Sequence, residues 1–325
     1  AGEGRSVAVA LVQDRRAVTH PQAWREFVGL TLERLHACVD WVEIGHAVNR
    51  VKWGIWTLRE HRTLLAPIAE SRARYPDLRI MGPAGIDFEY PFVLAALSRM
   101  PEGCRFDALS HHLYVDRRGA PENPQGPFAL LEKCALARAI AKWSHGCEDR
   151  LIISETNWPL RDTGVWSPVV SPYDTPGIRH NDPSVDEDEY AAYMIRYLLI
   201  ALCSGMAERV YWWQLTARGF GLVDDHDPED WRGRPAYRAL SAFLRQVGEA
   251  TFITRRELGS GTRFYLVRRP DESRVVVGYS SVAGDHCGVP FGYGRALDAY
   301  GEPCPAPDTM PGLPMYFEDP EGFAL

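Results

Sequence analysis

Glu155 closes the apolar run Leu151-Ile152-Ile153-Ser154-Glu155, and Thr156-Asn157-Trp158-Pro159 then breaks it. A buried run that ends on a carboxylate is how a parallel sheet presents an acid at the C-terminal tips of its strands. A second run, Val42-Glu43-Ile44-Gly45-His46-Ala47-Val48-Asn49-Arg50, carries a histidine at its tip, followed by alanine. A third, Ser110-His111-His112-Leu113-Tyr114, ends on imidazole and phenol. A carboxylate can attack carbon or exchange a proton, and a histidine titrates near neutral pH. These tips are therefore equipped for nucleophilic or acid–base chemistry, provided one fold brings them together.

The elements that must position them are legible as an alternation. Short apolar strands are expected at 6–12, 39–45, 78–83, 106–113, 151–155 and 209–215. Amphipathic helices are expected between them, at 21–38, 128–143 and 186–204, the last opened by acidic residues that suit a helix N-terminus. Such alternation predicts a parallel α/β architecture with right-handed crossovers. Six strand–helix units are visible where a closed barrel needs eight, so two arrangements compete: a (β/α)8 barrel that lacks its first one or two units in this chain, or an open doubly wound sheet. From about residue 251 the pattern becomes β-rich, with runs at 263–268 and 274–280 joined through Pro270-Asp271-Glu272 as a hairpin. This predicts a barrel over 1–250 and a small β-rich accessory unit over 251–325.

Composition narrows the partners. The chain has 325 residues, 46% of them hydrophobic, with 36 basic and 43 acidic side chains mixed along its length for a net charge of −7. No basic block forms a nucleic-acid footprint, and no apolar run reaches the ~18 residues of a membrane span. The seven cysteines are scattered without a Cys-x-x-Cys pair, which reads as reduced thiols in a cytoplasmic protein. Neither Gly-x-Gly-x-x-Gly nor Gly-x-x-x-x-Gly-Lys occurs, and the histidines have no metal-ligand spacing, so neither a cofactor nor a metal is expected. Lysine is rare against arginine, a usage that fits a GC-rich bacterial genome.

The motifs, taken in order, resemble those of clan A glycoside hydrolases, the (β/α)8 retaining glycosidases. Glu43-Ile44-Gly45-His46-Ala47-Val48-Asn49, followed by Trp53, is similar to that clan's fourth strand, which carries the acid/base Glu directly after an Asn. Ile153-Ser154-Glu155-Thr156 resembles the seventh-strand nucleophile motif, His112-Leu113-Tyr114 the sixth-strand His-x-Tyr element, and Tyr211-Trp212-Trp213-Gln214 the eighth strand with its sugar-stacking Trp. The resemblance covers about residues 6–245 and implies a carbohydrate substrate at the C-terminal face of the barrel, with Glu155 as nucleophile. It also exposes a departure: Ala47 stands where the acid/base carboxylate belongs, and His46 where the Asn belongs.

Ala47 cannot donate a proton, so three accounts stay open. The position could have been changed from Glu to Ala in an otherwise ordinary enzyme; another group could supply the proton; or the barrel could bind sugars without cleaving them. His46, Asp87, Glu89 and Asp116 are the candidate donors near strand tips. Asn49, His112 and Asn157 are candidates to hold sugar hydroxyls. Trp53, Tyr114, Trp158 and Trp213 are candidates to stack on the apolar face of a pyranose, Trp158 foremost. Core packing is the competing role for each aromatic. Glu43 points into the barrel by strand alternation and calls for a buried cationic partner, expected to be an Arg. Segments 116–127 and 161–183 are expected to cap the mouth. An open α/β enzyme that pairs His46 with Glu155 is the remaining alternative.

Overall fold

A computed structural model describes residues 6–165, 182–285 and 287–323. Every expected strand of the first part forms: β1 (Ala8–Leu11), β2 (Trp41–Ile44), β3 (Arg79–Ile86), β4 (Ala108–His112), β5 (Leu151–Thr156) and β6 (Ala207–Trp212). All adjacent pairs are parallel, and the six strands lie in chain order from β1 to β6. A doubly wound sheet reverses its strand order at a switch point, so this order removes that alternative and leaves a curled, barrel-type sheet. Among the described residues β1 and β6 are its two edges.

The interior is layered. Trp41, Met81, Ala108 and Ile152, with Ala8 and Tyr211 against them, form an apolar cluster to which each of the six strands contributes one residue. Two positions further along β2, β4 and β5 come Glu43, Ser110 and Ser154, so a polar layer lies directly above the apolar one. The next step along β4 reaches His112, at the mouth. Strict alternation from Ile152 would turn Glu155 away from this interior. A register irregularity in β5 between Ile153 and Thr156 supplies the extra residue that re-aims it.

Helices cover the outer face of the sheet. Pro21–Leu35 begins with proline at its first position and buries Trp24, Val28 and Leu32 along one face. Glu187–Leu202 has Asp186 as its N-cap, the carboxylate accepting from the Glu189 N–H at 2.8 Å, and three acidic residues in its first turn. It is buried almost all round because it lies between the barrel and a second sheet. That sheet comprises β9 (Thr251–Leu258), β10 (Thr262–Arg268), β11 (Arg274–Ser280), β12 (Arg295–Leu297) and β13 (Met315–Glu318), antiparallel in the order β12-β13-β11-β10-β9. The hairpin expected at residues 270–272 joins β10 to β11. Tyr265, Val267, Val275, Val277, Tyr279 and Tyr316 share one apolar cluster with the barrel helices, while Phe264, Leu266, Val276 and Phe317 pack on the opposite face. A two-stranded ribbon of β7 (Val223–Asp224) with β8 (Arg232–Gly233) precedes the last helix, Pro235–Val247.

Candidate active site

Glu155 reaches the mouth beside three groups. The Tyr114 hydroxyl donates to its Oε1, His112 Nδ1 lies 3.9 Å from the same oxygen, and His46 Nε2 lies 3.9 Å from Oε2. The Glu155 side chain is 13% exposed, buried enough to strengthen these contacts yet open to the cleft. His112 and Tyr114 stand two apart on one face of β4 and its extension, which is why both meet one carboxylate.

Glu43 is buried behind His112, with its Oε2 3.7 Å from His112 Nε2. The partner expected to be an arginine is this imidazole, because the nearest inward position on β4 is occupied by His112. Burial disfavours charge on both members, but the mutual attraction and hydrogen bonding outweigh it. The His112 pKa is therefore raised, helped by Glu155, and that of Glu43 is lowered. His112 thus sits between two carboxylates, both of which favour its protonated form. Glu43, His46 and His112 also bring one donor atom each within 4.8 Å of one another, a grouping that their spacing in the chain does not reveal. His111, adjacent to His112, faces the other way and meets the backbone carbonyl of Asp87.

His46 is held by its backbone. Gln13, at the tip of β1, accepts from the His46 N–H at 2.8 Å and donates to its carbonyl at 2.8 Å, then also to the Trp53 carbonyl at 3.2 Å. This clamp, made by a 2% exposed amide, was not signalled beyond Gln13 being polar at a strand tip. Gly45 before it has φ +95°, and a Cβ there would lie 2.8 Å from Val48 Cγ1, so the turn that delivers His46 requires glycine. The His46 ring packs edge-on to Trp53 at 4.2 Å and tilts over His112 at 4.6 Å. Burial first, and the His112 charge second, push its pKa down to about 4. Ala47 is 0% exposed with φ +43°, so position 47 is covered rather than an opening in the site wall. From this loop, the side chain that reaches Glu155 is His46.

Several expected roles shift. The Asn49 amide is committed to the backbone of β3: it donates to the Ile86 carbonyl at 3.0 Å and to Glu89 at 2.7 Å, and accepts from the Ile86 N–H at 2.9 Å. Asp87 and Glu89 are tied to Arg50 at 2.7 and 2.6 Å rather than turned toward Glu155. Trp158 is 0% exposed, stacked on Trp212 at 5.7 Å, with its indole N–H donating to the carbonyls of Arg118 and Gly119 at 2.9 and 3.0 Å. A ring so enclosed cannot offer a face to a sugar; it anchors the segment that carries Arg118. Trp53 and Trp213 are half-buried, as a stacking platform needs. Asn157 is buried, and its amide oxygen has no hydrogen-bond partner among the described residues. Of the expected cap 161–183, residues 166–181 lie outside the described residues.

A cleft of about 410 Å³, lined by Arg50, Asp87, Glu89, Tyr114, Arg118 and Gln125 among others, shares Tyr114 with the Glu155 site. Among the described residues no helix is long and apolar enough to cross a membrane.

No family model matches the chain, and no curated protein does. Solved structures do. An endo-β-1,6-glucanase aligns with a TM-score of 0.52 and 12% identity over 91% of this chain and 63% of its own. A β-porphyranase of glycoside hydrolase family 86 from Bacteroides plebeius aligns at 0.51 and 10%, over 88% of this chain and 57% of its own. A monomeric β-xylosidase from Caulobacter crescentus aligns at 0.50 and 17%, over 86% and 58%. The chain spans less than two thirds of each of these proteins. These likenesses show the fold alone, an α/β barrel-type sheet, which in this chain is followed by an antiparallel β unit.

Proposed function

We propose that this barrel acts on a carbohydrate at the mouth of the sheet, with Glu155 as nucleophile and His46 as the group that exchanges the proton. The observation that carries this reading is the convergence on one carboxylate of a phenol and two imidazoles, delivered by β2, β4 and β5. Glu155 would attack the anomeric carbon and form a glycosyl-enzyme, which water or another sugar then resolves. Tyr114 and His112 orient the carboxylate, and Trp53 and Trp213 border the site. His46 Nε2 lies closer to Glu155 than the ~5–5.5 Å of a retaining carboxyl pair, so the imidazole does not replace a glutamate atom for atom. Neutral His46 suits activation of the attacking water better than protonation of a poor leaving group. Substrates with an activated leaving group, and glycosyl transfer, fit this balance.

A second reading is favoured by Ala47: with no carboxylate opposite Glu155, the site binds sugar without cleaving it. Activated 2-deoxy-2-fluoro glycosides separate the two, because they carry their own leaving group and need only the nucleophile. A covalent adduct mapped to Glu155 by intact mass and peptide analysis, and absent from Glu155→Gln, supports the enzyme. Sugar binding with no adduct across gluco, galacto, manno and xylo reagents supports the binding protein.

A further inference from the structure

Among the described residues that line the cleft sharing Tyr114 with the Glu155 site, Arg118 is the cation without a carboxylate partner. Arg50 is paired with both Asp87 and Glu89, whose two charges exceed its own by one. Arg117 is 87% exposed at the rim, and Asp116 lies 4.0 Å from it. Arg118 differs: its guanidinium carbon stands 3.2 Å from the centroid of the Tyr114 ring, and its Nη1 is buried with no hydrogen-bond partner among the described residues. The guanidinium therefore has donor capacity to spare, and Arg118 lines the cleft, where acceptor oxygens of a ligand can meet it.

Nor is Arg118 a loose surface side chain. Its backbone carbonyl accepts from the buried Trp158 indole, and its N–H donates to Val115 at 3.1 Å. Arg117 and Arg118 both have positive φ, +51° and +55°, a conformation that non-glycine residues hold only where surroundings enforce it. Further along the same segment, Glu122 is gripped by Arg196 at 3.0 Å and by Arg263 of the second sheet at 3.4 Å. The fold therefore holds Arg118 stacked on the ring whose hydroxyl bonds the candidate nucleophile. Behind the cleft, the Lys133 ammonium is buried 5.2 Å from the Phe88 ring and also lacks a hydrogen-bond partner among the described residues.

We propose that this cleft takes a sugar bearing an anionic substituent (a carboxylate, sulfate or phosphate) whose oxygens pair with Arg118. This rests on the carbohydrate reading of the Glu155 site and narrows its substrate class. A planar guanidinium suits such oxygens, and stacking on Tyr114 fixes its plane in advance. Asp116 on the same rim, and the surplus negative charge of Asp87 and Glu89 around Arg50, disfavour a ligand that is anionic along its whole length, so one charged group on an otherwise neutral sugar is the better match.

The test titrates the whole chain by ligand-observed NMR with matched pairs: glucuronic acid against glucose, galacturonic acid against galactose, and the 6-phosphate and 6-sulfate of each against the parent sugar. We expect one anionic member to bind about tenfold tighter than its parent, the gain shrinking at high salt. Arg118→Gln should erase that gain while the chain stays folded and still binds the parent sugar, and Arg118→Lys should restore part of it. The pairs also tell carboxylate, sulfate and phosphate apart. Equal binding of both members, or an anionic preference that survives Arg118→Gln, overturns the proposal. So does inorganic phosphate binding as well as the phosphosugar, since the sugar then contributes nothing. If neutral fluorosugars label Glu155 while every anionic sugar is refused, only this proposal falls. If no sugar binds and Glu155 stays unlabelled, the carbohydrate reading falls with it.

Discussion

Tyr114 offers the most direct handle on Glu155, because its hydroxyl donates to the carboxylate from a position only 4% exposed. Burial, and then the charge of Glu155, raise the phenol well above its ordinary pKa, so it stays a donor across the working pH range. A hydrogen bond to a charged group contributes about 1.5–3 kcal/mol, and Tyr114→Phe should slow labelling of Glu155 by roughly 10- to 100-fold. Unchanged labelling kinetics would show that the phenol merely packs. His46 makes a prediction of the opposite kind. With a pKa of about 4, roughly one molecule in a thousand carries the imidazolium at pH 7. Turnover of an unactivated glycoside should therefore climb as pH falls toward 4, while activated substrates show no such climb. His46→Gln should flatten the first profile and lower the rate about 10²–10⁴-fold near pH 4, with a much smaller loss at pH 7. A profile that His46→Gln leaves intact would assign the proton to another group.

At the scale of elements, a loop and a helix meet in one buried ion cluster. Glu122 and Arg196 have side chains 11% and 6% exposed, and Arg263 of β10 joins them at 22%. Removing one partner of a buried pair leaves the others uncompensated, at a cost of about 3–5 kcal/mol. Glu122→Gln should accordingly lower the melting temperature. It should also release the segment holding Arg117 and Arg118, read as faster trypsin cleavage after those arginines. Lower stability with no change at that site would mean that the cluster joins the two sheets without governing the loop. Trp158, expected to face sugar, belongs to the same scale: its indole ties the end of β5 to this segment.

Across the whole molecule, histidines buried without charge weaken the fold in acid, together with carboxylates such as Glu43 whose pKa is lowered. Burial alone brings His61 to a pKa of about 4, and burial is the first cause of the same value at His111 and His46. Each is neutral in the fold down to about pH 4 but takes a proton in the unfolded chain below about 6.5. The unfolded state thus gains protons first, and stability is lost as pH falls through this window. His112, whose pKa is raised, works in the opposite direction. His61 is the cleanest probe, since neither ring nitrogen has a hydrogen-bond partner among the described residues. His61→Leu should reduce the loss between pH 6.5 and 4 by up to about 3 kcal/mol, measured by denaturant unfolding at several pH values. An unaltered slope would mean that His61 is hydrated in the native state.

Apolar runs, helix starts and the motifs at strand tips were enough to place all six parallel strands and the hairpin after Arg268. Those features depend on local pattern: burial on both faces of a strand, acidic residues at a helix start and a turn-forming tripeptide act over a few residues. What joins distant segments was not legible. The irregularity in β5 that turns Glu155 inward depends on pairing with β6. The Gln13 clamp on His46 spans 33 residues, and the Glu43–His112 contact spans strands whose spacing carries no ligand signature. The burial of Trp158 and the stacking of Arg118 on Tyr114 were equally hidden. An indole or guanidinium looks the same in sequence whether it meets ligand or core, and only packing against the rest of the chain decides which face stays open.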